Sequence, residues 1–117
     1  MNEITRLLTA AQARDAVAVS GKEPVFIFKH STQCGVSSRA IREFESFVAA
    51  QAPGFAYCRV DVIEHRAASD ALESLSLVRH ESPQVLLLQG EECLWHASHG
   101  AIKAATLAQQ ARALRSA

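Results

Sequence analysis

Apolar residues change their spacing several times along the chain, and each change marks an element. Val25-Phe26-Ile27-Phe28 is a continuous apolar run, which predicts a strand buried on both faces. From Val36 onward the spacing becomes helical: Val36, Ala40, Ile41, Phe44, Phe47 and Val48 fall on one face, and the helix should end before Pro53-Gly54. Upstream, Ile4 to Leu8 is a short strand candidate. Thr9 then has the position of an N-cap, with Gln12 in capping-box register, and opens an Ala-rich helix to Val19 that Gly21 closes. Downstream, Phe55 to Val62 predicts a strand, and Ala68, Ala71, Leu72 and Leu75 predict a helix. Pro83 opens a buried strand, Val85 to Leu88, and Gly90 turns it into a hairpin with Cys93 to His96. Gly100 leads to a last helix with Ala104, Leu107, Ala111 and Leu114 on one face.

The order is βαβαβαββα, an α/β class. A strand, a helix and a strand give parallel pairing with a right-handed crossover; the final hairpin adds an antiparallel edge, and helices cover both sheet faces. No linker or repeat interrupts the pattern, and 117 residues suit one domain, 1–117. Twelve basic and twelve acidic residues cancel, with no run of Lys or Arg to supply the electrostatic term of nucleic-acid binding. The N-terminus, Met1 to Arg6, lacks a signal-like apolar region, and no apolar stretch approaches the ~20 residues of a membrane span. Three cysteines, an odd number, suit a reducing compartment better than a disulfide framework. The expectation is a cytoplasmic protein without nucleic-acid or membrane partners.

Cys34 is the candidate for chemistry. It lies where the strand has ended, the polar stretch Lys29 to Gln33 has turned, and a helix begins. Unpaired first-turn N–H groups and the helix dipole stabilise a thiolate there. A free cysteine is only about 3% thiolate at pH 7, and lowering its pKa to about 6 makes it roughly 90% thiolate. Ser37 stands where a C-x-x-C motif has its second cysteine. Its hydroxyl can donate to a thiolate but cannot attack a mixed disulfide, so release must come from another thiol. Cys58 and Cys93 fall in strands and are expected to be small buried hydrophobes. Lys29 is expected to be a solvated residue at the strand end, and Thr32 either caps the helix or only fills the loop. Cys93, His96 and His99 do not form a metal site in this reading, since residues 93 and 96 of a strand point to opposite faces.

A cysteine heading the helix after the first central strand, with a proline opening the strand of a terminal hairpin, resembles the thioredoxin fold. The expected architecture is therefore a thioredoxin-like mixed sheet with a C-terminal β-hairpin and helices on both faces. The resemblance also implies a cis Ser82-Pro83 bond, with Ser82 presenting backbone groups beside Cys34. Phe28-Lys29-His30-Ser31-Thr32-Gln33-Cys34-Gly35-Val36-Ser37 is similar to the FKHST-x-C-P-I-S signature of the YtxJ-like bacilliredoxins. These are thioredoxin-fold proteins with a single active-site cysteine, implicated in removing bacillithiol from mixed disulfides on proteins. Gly35 replaces the usual proline and Val36 the isoleucine, which loosens the first helical turn.

The resemblance implies Cys34 as the nucleophile, with Thr32, Gly35, Val36, Ser37, Ser82 and Pro83 as substrate-binding residues. It implies no metal or bound cofactor, bacillithiol as co-substrate, bacillithiolated proteins as clients, and a small thiol or a reductase for regeneration. Cys34-Gly35-Val36-Ser37 also resembles the CGFS motif of monothiol glutaredoxins, which use glutathione and can hold an iron–sulfur cluster. Ala97 to Ala101, however, replaces their Gly-Gly-x-Asp segment. That reading and a redox-silent thioredoxin-fold binding module stand as alternatives.

Overall fold

The computed structural model describes residues 2–51 and 53–116. Along the chain run β1 (Ile4–Arg6), α1 (Ala10–Val19), β2 (Val25–His30), α2 (Gly35–Ala50), β3 (Ala56–Asp61), α3 (Arg66–Ser76), β4 (Gln84–Gln89), β5 (Glu92–Ser98), a 3-10 turn (His99–Ala101) and α4 (Ala104–Ser116). The five strands form one sheet in the order β1-β3-β2-β4-β5.

β2, at the centre, is buried along its whole length, and its alternating side chains feed two cores. Phe26 and Phe28 pack with Phe44, Phe47 and Leu107 under α2 and α4, and Val25 and Ile27 pack with Ala13, Val17 and Leu72 under α1 and α3. The first core is largely aromatic, with Phe26 edge-on to Phe47 at 5.0 Å and Phe28 tilted against Phe44 at 5.3 Å. These contacts fix α2 against the strand whose end leads to Cys34. Thr9 caps α1 by accepting from the Gln12 N–H at 3.1 Å. The Gln12 side chain accepts from Leu8 N, one residue earlier than a regular capping box requires. Gly90 and Glu91 both have positive φ, which closes the β4–β5 hairpin with a tight turn of the kind that matches strand twist.

One expectation needs correcting. β3, α3 and β4 do not form a parallel unit: β4 runs antiparallel to β2, so the antiparallel part of the sheet comprises two strands. α3 spans eleven residues, about 16 Å at 1.5 Å per residue. Leu77, in the left-handed conformation, turns the chain out of the helix. The seven residues from Leu77 to Pro83 can extend about 23 Å. That is enough to carry the chain back to the sheet end from which α3 started, and β4 must then descend.

A second correction concerns Lys29. It is a strand residue paired with Val60 and Gln84 and is 0% exposed, not a solvated residue at the strand end. The run of apolar residues stops at Phe28, but pairing on both sides carries the strand two residues further. No helix among the described residues is long and apolar enough to cross a membrane.

Candidate active site

Cys34 is the N-cap residue of α2, in extended backbone conformation. Its carbonyl accepts from Ser38 N at 3.0 Å, its N–H donates to the Ser31 carbonyl at 3.3 Å, and its side chain makes no capping bond. The sulfur is thus left at the positive end of a sixteen-residue helix. Gly35 and Val36 are both exposed beside it, Val36 by 48%. A Cβ on Gly35 would meet nothing within 4 Å, so packing does not demand glycine there.

Ser37 does not fit its expected place. It is 0% exposed, and its hydroxyl is occupied: Oγ accepts from Ser31 N at 2.9 Å and lies 2.7 Å from His30 Nδ1. Burial, then the Arg59 guanidinium, lower the His30 pKa and favour a neutral ring. Ser37 therefore joins the end of β2 to the first turn of α2 and sets the loop that carries Cys34. Its side chain is closed off from solvent.

Ser37→Ala removes the acceptor of a backbone N–H and the partner of a buried imidazole. The expected cost is about 1–3 kcal/mol of stability, read by urea denaturation. A change within about 0.5 kcal/mol would count against the clasp.

Thr32 does not cap the helix; its Oγ1 donates to Glu64 Oε2 at 2.8 Å and ties the loop to the segment before α3. Ser82-Pro83 is a cis peptide, as the thioredoxin resemblance implied. The β2–β4 register pairs Lys29 with Gln84, which brings Pro83 level with His30 at the sheet end that also carries the 31–34 loop. His99 N donates to the Pro83 carbonyl at 3.0 Å, joining the approach to α4 to the same edge.

The other two cysteines are set apart from this end. Cys58 is buried in β3, and burial pushes its pKa up to about 11. Cys93 is half-buried in β5; burial raises its pKa as well, and its thiol donates to the Trp95 carbonyl. Sequence reasoning missed the His30–Ser37 pair. The signal was there in period two: His30 continues the face of Phe26 and Phe28, which turns toward α2.

Solved structures agree with this architecture. A protein described as a candidate oxidoreductase with a thioredoxin fold is 28% identical, superimposes with a TM-score of 0.80, and covers 91% of each chain. Thioredoxin from Trypanosoma brucei brucei is 15% identical with a TM-score of 0.77, over 98% of this chain and 93% of its own. Thioredoxin from Malassezia sympodialis, at 17% identity and a TM-score of 0.74, covers 100% and 94%. These similarities define a thioredoxin-fold protein, and the class is that of thiol–disulfide oxidoreductases. A family model described as monothiol bacilliredoxin BrxC matches residues 5–107. The chain belongs to the monothiol bacilliredoxin family, which sets the bacilliredoxin-like signature above the short glutaredoxin-like one.

Proposed function

We propose that Cys34 is the nucleophile of a monothiol exchange that frees client proteins of bacillithiol. The observation that carries the reading is the position of Cys34: of the three cysteines, it alone sits at a helix N-terminus. The Cys34 thiolate attacks the sulfur of the small thiol in the client mixed disulfide. That S–S bond breaks, the client cysteine leaves as thiolate and takes a proton, and a new disulfide joins Cys34 to the small thiol. A second small thiol, or a reductase, then attacks this adduct and returns Cys34 to its reduced form. Gly35 and Val36 border the sulfur, and the cis Ser82-Pro83 segment forms the opposing wall, where the extended backbone of the client or thiol pairs with Ser82. The hydroxyl of Thr32 belongs to the rim of the same loop. A reducing cytoplasm, rich in small thiols, is the compartment in which this cycle runs.

The test mixes reduced protein with a client bearing a bacillithiol mixed disulfide and, separately, with the glutathione adduct, following both partners by intact mass. The expected result is loss of the bacillithiol mass from the client, its appearance on the peptide containing Cys34, and slower transfer from the glutathione adduct. Faster transfer of glutathione would reassign the small thiol. No transfer from either would overturn the exchange.

A further inference from the structure

Next to Cys34, a groove of about 530 Å³ runs between the first turns of α2 and the stretch that enters α4. Val36, Arg39, Ala40 and Glu43 form one wall, at the spacing that puts side chains on a single helix face. His99, Gly100, Ile102 and Lys103 form the other. Buried Ala40 and Ile102 supply an apolar floor, and the volume is in the range of small-molecule sites. The charges divide in a way that decides the occupant. Glu43 is committed, its carboxylate accepting from Ala104 N at 2.9 Å, and His99 faces Glu81 at 3.5 Å. Arg39 and Lys103 have no ion-pair partner among the described residues. The charge left to face the groove is positive, and the groove begins at Val36, two residues from Cys34.

Resting on the exchange reading above, we propose that this groove seats the small thiol while it is bonded to Cys34, with Arg39 and Lys103 holding its carboxylates. The occupant is a low-molecular-weight thiol that carries carboxylate groups at the end remote from its sulfur. Arg39 lies about 7.5 Å along the helix axis from Cys34, and helical side chains lean back toward the N-terminus, so its guanidinium covers the space in between. Neutral thiols can still exchange at Cys34, but they lack the groups that these two cations select.

The experiment compares two adducts of one single-cysteine client, one with glutathione, which bears carboxylates, and one with 2-mercaptoethanol, which bears none. Initial transfer rates are measured for the full chain and for the Arg39→Gln/Lys103→Gln double variant. The ratio of the glutathione rate to the mercaptoethanol rate is expected to fall about tenfold in the variant, because two exposed charge pairs contribute a few-fold each. In the wild type the ratio should also fall with added salt, and in the variant it should not. An unchanged ratio overturns the groove assignment and leaves the exchange standing. Failure of the wild type on both adducts, with transfer from the bacillithiol adduct intact, overturns the groove reading alone; failure on the bacillithiol adduct as well overturns the proposed function with it.

Discussion

Lys29→Met is expected to raise the unfolding free energy by about 3 kcal/mol at pH 7, the worth of the lysine's shift from 10.5 to about 8. Lys29 is 0% exposed, and its Nζ has no hydrogen-bond partner. Loss of hydration is the main cause of the lowered pKa; Glu73 and Asp70 attract the ammonium and recover part of the loss. Methionine keeps the unbranched stem and fills the same space without a charge. The pH dependence follows from which state binds the proton. Below about pH 8 both folded and unfolded chains carry the charge, and the folded one bears the whole penalty. Between about 8 and 10.5 the unfolded chain holds the proton that the folded chain has released, so wild-type stability gains from this residue as pH rises. The advantage of Lys29→Met should therefore be full at pH 7, reduced at pH 9 and nearly gone at pH 10.5, read by urea denaturation of the two proteins side by side. An advantage that does not vary with pH would mean that the lysine finds a partner when folded.

The misplacement of Lys29 also marks how far the sequence could be followed. Val25 to Phe28 announced a buried strand because apolar continuity is a local property. The two residues that extend it, Lys29 and His30, are held by pairing with Val60, Asp61 and Gln84, which lie far along the chain. Cys34 was legible as the start of a helix because the period changes around it. The role of Ser37 was not, since its partners His30 and Ser31 meet it only after β2 and α2 have folded against each other. Strand direction failed at β4 for a similar reason: periodicity places an element, and the length of the 77–83 connection decides which way it runs. The cis Ser82-Pro83 bond came from resemblance to a fold, not from any spacing. Arg39 and Lys103 belong to no motif in the sequence, and only the packing of the stretch entering α4 against α2 gives them a common groove.

Cys34→Ala is expected to abolish transfer of the small thiol, while the Cys58→Ala/Cys93→Ala double variant keeps it. Exchange needs a thiolate with access to a disulfide. With its pKa pushed up to about 11, Cys58 is thiolate in about one molecule in ten thousand at pH 7, and it lies buried within β3. Cys93 is held back by the same burial effect, and its proton is engaged by the Trp95 carbonyl. Neither can replace Cys34 as the attacking sulfur or resolve an adduct formed on it. Ser37, which occupies the second position of the motif, has no sulfur and is committed to His30 and Ser31. The adduct on Cys34 should therefore persist in intact-mass spectra until a second thiol is added, then disappear with kinetics first order in that thiol. Spontaneous decay of the adduct in the wild type, lost in the double variant, would identify Cys58 or Cys93 as a resolving cysteine and replace the monothiol cycle with a dithiol one. Transfer surviving in Cys34→Ala would move the nucleophile itself. The position of Cys34 at a helix start, with Cys58 and Cys93 held in strands with raised pKa values, argues for the first outcome: one sulfur reacts, and the second thiol is supplied from outside.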